Sequence, residues 1–255
     1  MGLPWARWRI IAYFWQQKRI GFSMLDLHTH ILPGLDDGAV DLAAGVALSL
    51  RLHQQGITTV VATPHWHSPR FEVEHPDIER AWVALRVAVA SQVPGLTLVL
   101  GAEHHCSGAE DPVAFVAGIR PLGDSRMVLI ELPDDHLPPR AWATVFAVVR
   151  AGWRPLLAHP ERCRGLRGQR EQLAAFVEAG GLLQLTLGHL LGCHGWRMRW
   201  HSRALLRRFP QACLIASDSH DLGVRRPQWD RLPTTWRHLV PADLATVSTW
   251  GIANS

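Results

Sequence analysis

Leu25-Asp26-Leu27-His28-Thr29-His30, continued by Ile31-Leu32-Pro33-Gly34-Leu35-Asp36-Asp37-Gly38, is the stretch on which both fold and chemistry turn. In an extended chain, residues two apart project to one face, so His28 and His30 leave the end of a short apolar strand with both imidazoles on the same side. Pro33 and Gly34 then turn the chain. Asp36 and Asp37 return with hard oxygen atoms that suit a divalent cation beside imidazole nitrogen. For an isolated H-x-H pair the more common reading is two solvated histidines on a turn, with Asp36 or Asp37 capping the next helix.

The residues downstream narrow that choice. From Met24 onward, apolar runs of strand length alternate with stretches of helical period in seven repeats, with strands expected at 24–28, 57–63, 96–101, 127–132, 154–158, 182–186 and 212–217. Helices are expected at 40–55, 76–92, 138–151 and 169–179, closed by Gly56, Pro94-Gly95, Gly152 and Gly180-Gly181. Such alternation implies a parallel sheet closed into a barrel, with 24–255 as one domain. Nearly every expected strand carries a potential ligand at its C-terminal end. His28 and His30 follow the first, His65 the second, Glu103 the third, Glu131 the fourth and His159 the fifth, while Asp218 and His220 follow the seventh. In parallel α/β folds these ends share one rim, so residues far apart in sequence converge there. His104 and His105, next to Glu103, line the same pocket without being ligands, and the remaining histidines belong to loops and helix surfaces.

Charge is distributed unevenly. Of the 26 basic residues, Arg7, Arg9, Lys18 and Arg19 fall in 1–23, which holds no acid, so the remaining 22 match the 22 acidic residues. A neutral body argues against an electrostatic nucleic-acid footprint. Ile10 to Trp15 is far shorter than the roughly 20 residues needed to cross a bilayer, and no small-residue cleavage site follows it. Translation is therefore expected to start at Met24, leaving 1–23 as a basic, Trp-rich extension outside the native protein; a helix lying on a membrane surface is the other reading. The four cysteines form no C-x-x-C pair and read as reduced thiols of a cytoplasmic protein. Cys193 and Arg199 fit C-x5-R, the spacing of thiolate phosphatases, but Trp196 stands in the stretch that would cradle phosphate, so the match is attributed to chance. Trp196 to Arg208 carries five arginines that could grip an acidic peptide, with a solvated helix face as the preferred reading.

With D-x-H-x-H, T-P-H, G-x-E, E-L-P, H-P-E-R and S-D-x-H in this order, the chain resembles the polymerase and histidinol phosphatase (PHP) superfamily. More narrowly, His30 to Gly38, Ala62-Thr63-Pro64-His65 and His159-Pro160-Glu161-Arg162 make it similar to the bacterial manganese-dependent protein-tyrosine phosphatases of capsule and exopolysaccharide operons, over about Met24 to Pro227. The resemblance implies a distorted (β/α)7 barrel with the metal site at the C-terminal strand ends. Up to three divalent ions are implied, manganese first, with iron or zinc as alternatives. It assigns His28, His30, Glu103 and Asp218 to one ion, Asp37, His65 and His220 to a second, and Glu131 and His159 to a third, Glu103 bridging. Arg162 is implied to bind the substrate phosphate and, with Asp218, to act in catalysis. Arg226 or its neighbour Arg225 matches a second basic residue. The implied activity is hydrolysis of phosphotyrosine by a metal-activated hydroxide, on the tail of a tyrosine autokinase that regulates polysaccharide export. A histidinol-phosphate-type phosphatase and a non-catalytic metal-binding regulator are the alternatives. Three stretches depart from the family pattern: Thr186-Leu187-Gly188-His189 stands where a small Ser-rich turn is usual, His104-His105-Cys106 follows Glu103, and the tail beyond Pro227, with a helix expected at 241–250, diverges.

Overall fold

The computed structural model describes residues 23–250, so the basic extension, Ser23 apart, lies outside the described residues. Strands and helices alternate as the hydrophobic periods require. Strand β1 (Leu25–Thr29) is followed by helix α1 (Leu42–Gln54), which begins where the Asp41 carboxylate accepts the Ala44 N–H at 2.8 Å. The second expected strand is β2 (Thr59–Ala62), and beyond its expected end a further short strand, β3 (His65–Trp66), follows Pro64, which has no N–H to continue the ladder. The third is β4 (Thr97–Leu100), likewise followed past Gly101-Ala102 by an unexpected short strand, β5 (Glu103–His105). Helix α2 (His75–Gln92) joins the two pairs. A short helix α3 (Pro112–Ala117), absent from the periodicity, leads to β6 (Met127–Glu131), α4 (Ala141–Arg150) and β7 (Arg154–Ala158). A 3-10 turn over Arg164–Gly168 precedes α5 (Arg170–Glu178) and β8 (Leu182–Thr186). The unusual Thr186-Leu187-Gly188-His189 stretch forms helix α6 (Leu187–Leu191), followed by α7 (Trp196–Arg208), β9 (Cys213–Ala216) and α8 (Leu244–Ser248).

The result is an α/β fold with parallel sheets. One sheet has the order β1-β2-β4 and the other β3-β5-β6-β7-β8-β9. Backbone bonds carry the ladder from one sheet into the other, Gly101 N–H donating to Ala62 O and Glu103 N–H to Pro64 O. At the far side, β1 meets the chain beyond β9 through a parallel bridge between Thr29 and Ser219, with Asp218 N–H donating to His28 O at 3.0 Å.

Alternation along the strands separates two apolar layers. Val60, Val128, Ile130, Leu183 and Ile215 pack with helix residues such as Leu52, Leu85, Val145 and Phe176. Leu25, Leu27, Val61, Leu129, Leu156, Leu182 and Leu214 form the inner layer. Burial on both faces explains why the strands are apolar runs rather than alternating patterns. Strand β1 departs from simple alternation: Leu25 pairs with Thr59 and Asp26 with Val60, yet Thr29 pairs with Ala62, so β1 spends one extra residue there. This bulge puts His28 and His30 on the inner side although Leu25 and Leu27 already face it.

Helix α8 closes the end of the inner layer opposite the ligand-bearing strand ends, with Val247 buried against it. Arg154 at the start of β7 holds it there, donating Nη1 to Val247 O and Ser248 O, Nη2 to Trp250 O and Nε to Gly180 O. Arg154→Ala is expected to destabilise the protein by about 2–3 kcal/mol and to speed amide hydrogen exchange over 244–250, leaving exchange in β1 unchanged; thermal unfolding and exchange mass spectrometry check both.

Candidate metal centre

The C-terminal strand ends bring together His28, His30, Asp37, His65, Glu103, Glu131, His159, Asp218 and His220. Their ligand atoms fall into four overlapping groups, within each of which all lie within 4.8 Å of one another: His30, Asp37, His65 and His220; His28, His159 and Asp218; His28, His30 and Glu103; and His65, Glu103 and Glu131. Compared with the partition that the resemblance implies, His30 also stands with the Asp37 group, and His159 stands with His28 and Asp218. All nine are buried except Asp37, whose side chain is 38 % exposed.

Hydrogen bonds behind the imidazoles decide which nitrogen faces inward. Gln184 Oε1 accepts the His159 N–H at 3.3 Å, which identifies it as the carbonyl oxygen, so His28 Nδ1, 2.8 Å away, must be its donor. His30 Nδ1 donates to Asp36 Oδ2 at 2.8 Å, and His220 Nδ1 to Asp218 O at 3.0 Å. In all three rings Nδ1 is thus committed outward and Nε2 faces the cluster, a lone pair whenever the ring is neutral. His28 Nε2 and His30 Nε2 lie 3.2 Å apart, and Glu103 oxygens lie 3.4 Å from each. Lone pairs converging at this distance repel unless positive charge sits among them. His65 Nδ1, Glu103 Oε2 and His220 Nε2 are, moreover, buried without a hydrogen-bond partner. Buried polar atoms left unpaired are costly, and here they point to one cluster with mixed imidazole and carboxylate character. The donor set therefore fits divalent cations of the manganese, iron or zinc type.

Electrostatics set the same demand for positive charge: against burial, Asp36 and Glu103 raise His30 to about 10, and Glu103 and Asp218 raise His28 as well. Burial pushes the Glu103 carboxyl up, but His28 and His65 outweigh it and hold the group well below the ordinary carboxylate range. Asp218 behaves likewise: burial is outweighed by His28, His220, Arg225 and His159. Both carboxylates are thus ionised and available as ligands at neutral pH. By contrast, burial pushes His104 down to about 4. Its Nδ1 donates to Leu129 O at 3.1 Å and its Nε2 accepts the Arg120 N–H at 2.9 Å, so this neutral ring is fully used in the fold. His105 instead donates Nδ1 to Glu131 Oε2 at 3.0 Å and orients that carboxylate.

Several supporting residues carry no sequence signal of their own. Asp36, which the local pattern offers as a ligand beside Asp37, lies behind His30: Oδ2 accepts from His30 and from His65 N–H, and Oδ1 from Gly38 N–H. Gly38 has to be glycine, because a Cβ there would fall 2.1 Å from His30 O. Gln184 is a buried polar residue between the leucines of β8. Asp26 is buried, accepting Ser217 N–H at 3.0 Å and Trp229 Nε1–H at 2.8 Å, and so fixes the turn that carries Asp218. His159 and Asp218 both have positive φ, 30° and 52°, a conformation that costs about 1–3 kcal/mol in a non-glycine residue.

Two arginines border the cluster. Arg162 donates Nη2 to Asp134 Oδ2 at 2.8 Å and holds Nη1 3.8 Å from Asp218 Oδ2. Arg225 donates Nη1 to Asp37 Oδ2 at 2.9 Å and Nη2 to Asp218 Oδ1 at 3.2 Å. Arg226 turns away, its Nη1 donating to Gly223 O. Because Gln184 fixes both His28 and His159, Gln184→Leu is expected to weaken metal retention by about 10- to 100-fold without changing the far-ultraviolet circular dichroism spectrum, as measured by chelator competition on the metal-loaded protein.

Comparison with known proteins gives a consistent picture. The family model described as "Capsular polysaccharide synthesis, CpsB/CapC" matches residues 24–238. The tyrosine-protein phosphatase YwqE of Bacillus subtilis (strain 168) is 33 % identical over 205 residues, covering 79 % of each chain. The tyrosine-protein phosphatase CpsB of Streptococcus pneumoniae is 26 % identical over 209 residues, covering 80 % of this chain and 86 % of the other. A crystal structure from work on YwqE and CpsB as metal-dependent tyrosine phosphatases superposes with a TM-score of 0.71 at 31 % identity, covering 80 % of this chain and 82 % of that one. Among the described residues, no helix is long and apolar enough to cross a membrane. By the extent of the family match and its identity to YwqE, the chain belongs to the CpsB/CapC capsular polysaccharide synthesis family.

Proposed function

We propose that this chain is a metal-dependent protein-tyrosine phosphatase that acts on a tyrosine autokinase controlling polysaccharide synthesis and export. The observation that carries the reading is the convergence of inward lone pairs at His28, His30 and Glu103 beside Arg162 and Arg225. The phosphatase activity of YwqE and CpsB supports it. The scaffold is read as a distorted (β/α)7 barrel, a reading supported by the backbone bonds that run from β1 round to the Thr29–Ser219 bridge. A cytoplasmic location belongs to the same reading and is supported by four cysteines that form no disulfide.

The residues that would hold metal are the nine of the cluster, His28, His30, His65 and Glu103 each belonging to two groups. Up to three bound dications, manganese by preference, supply Lewis acidity, a lowered pKa for a coordinated water, and roughly +6 of charge against four carboxylates. The chain's own groups do the rest. Asp134 holds the Arg162 guanidinium so that its remaining N–H donors offer a planar fork to phosphate oxygens. Arg225, already reaching Asp37 and Asp218, places a second guanidinium at the same edge. Phe71 stacks on the His65 ring, with centroids 5.0 Å apart and planes at 16°, and gives an aromatic wall suited to a tyrosyl ring. A tyrosyl oxygen, with a parent pKa of about 10, leaves with less help from a proton donor than an alkyl alkoxide needs.

Phosphate release from a phosphotyrosine peptide and from histidinol phosphate, on protein stripped of metal and refilled with manganese or zinc, tests the reading. Manganese-dependent release from the peptide alone is expected. Release from histidinol phosphate alone would assign a small-molecule phosphatase, and silence on both with metal bound would assign a regulator. His159→Ala and Arg162→Ala are each expected to lower peptide turnover by at least about a hundredfold while leaving the unfolding temperature within a few degrees of wild type; a variant that kept full turnover would remove its residue from the site.

A further inference from the structure

Helix α7 and the segment after β7 enclose a groove of about 580 Å³ on the helical layer. Its sides carry Arg167, Arg170, Arg207 and Arg208, all exposed. Its floor is apolar, built from Leu166, Leu173, Leu205 and Phe209. The one acid among the lining residues, Glu161, is buried, and its Oε1 accepts from Thr186 N–H and His189 Nδ1–H. Five arginines outside the groove meet a carboxylate, Arg51, Arg80, Arg120, Arg162 and Arg225. Among the described residues, none of the four groove arginines has a carboxylate partner, and α7 itself contains no acid. Four exposed cations around an apolar floor, with no acidic side chain exposed among the lining residues, repel one another.

We infer that this groove holds an acidic, partly apolar peptide segment of the protein whose phosphotyrosine enters the metal centre. The identification of that protein as a phosphatase substrate rests on the reading above. Carboxylates of such a segment pair with the arginine rim, and its apolar side chains cover Leu173, Leu205 and Phe209. Position links the groove to the chemistry: Pro160 and Glu161, which line it, lie in the chain between His159 of the metal cluster and Arg162. Concavity and the apolar floor favour a peptide over a flat anionic lipid surface, even though Trp196 and Trp200 stand exposed on the same helix. On solvated helix surfaces charged side chains need no special reading; here the geometry of a lined cleft supplies one.

The test uses full-length, manganese-loaded protein and two readouts. Fluorescence anisotropy with a short, unphosphorylated peptide of Glu and Leu, against the same peptide with Gln for Glu, measures the groove without turnover. The acidic peptide is expected to bind about tenfold more tightly, and the double variants R207Q/R208Q and R167Q/R170Q are each expected to erase the difference. In the second readout, phosphotyrosine carrying the acidic flank should show a raised KM and unchanged kcat in both variants, with free phosphotyrosine hydrolysed as by wild type. Equal binding of the two peptides to wild type overturns the groove and leaves the phosphatase reading intact. Preferential binding without any hydrolysis overturns the phosphatase reading and leaves the groove. Wild-type binding to phosphatidylglycerol vesicles that the variants lose, with both peptides bound equally, overturns the peptide in favour of a membrane surface.

Discussion

Four carboxylates and five imidazoles cannot share one cleft unless positive charge is distributed among them, and this constraint organises the strand ends. Asp37, Glu103, Glu131 and Asp218 come from four different stretches of chain, and all but Asp37 are buried. Burial alone would drive such carboxyl groups toward their neutral forms. At Glu103 and Asp218 the surrounding imidazoles, joined at Asp218 by Arg225, reverse that, and in His28, His30 and His220 the Nδ1 proton points outward while Nε2 faces the cluster. Asp36, Gln184 and the Asp218 carbonyl take those protons on the outer side. The cleft is thus ordered from behind, by residues that never face its centre, as is usual where imidazoles hold metal.

The same constraint explains where the backbone is forced. His159 and Asp218 sit at positive φ, and Gly38 lies against His30 where no side chain fits. At His159 the departure aims the ring inward although its parity with Leu157 of the outer layer would aim it elsewhere. The β1 bulge does this for His28 and His30. Strain of this kind persists only where surrounding bonds over-determine it. Here the bonds are specific: Asp26 holds Ser217, His28 O holds Asp218 N–H, and Gln184 holds His159 N–H.

Much of the architecture was legible in the residues, because its cause is periodic. Apolar runs between helical patterns marked the strands to within one or two residues at most ends, since burial on both faces leaves no alternative composition. The short strands β3 and β5, which continue past Pro64 and Gly101 into the second sheet, and helix α3 were too short to show a period. At the site, residues at strand ends could be named from position alone. Their partners could not. Gln184 looks like a lone polar residue in an apolar run, and Asp36 looks as good a ligand as Asp37 until the turn is folded. The regrouping of His30 and His159 was beyond reach for the same reason, because it depends on a bulge and on two strained dihedral angles. Arg225 and Arg226 are indistinguishable as adjacent residues and separate only when the loop places one on Asp218 and the other on Gly223 O.

Arginine is used in two ways in this molecule, and the difference follows from what restrains each side chain. Arg162 is tethered by Asp134, and Arg225 by Asp37 and Asp218, so each offers its free donors in a fixed direction. A planar fork held in this way suits one small tetrahedral anion whose position must be reproducible. Among the described residues Arg167, Arg170, Arg207 and Arg208 have no carboxylate tether and stand on exposed positions around an apolar floor, Arg208 with its guanidinium 5.3 Å over the Phe209 ring. Untethered guanidinium groups adapt to carboxylates at varying spacing, at the cost of side-chain entropy for each bond made. A fixed pair beside the metal cluster and an adaptable set along the groove divide recognition accordingly: the first selects a chemical group, the second tolerates a range of sequences around it.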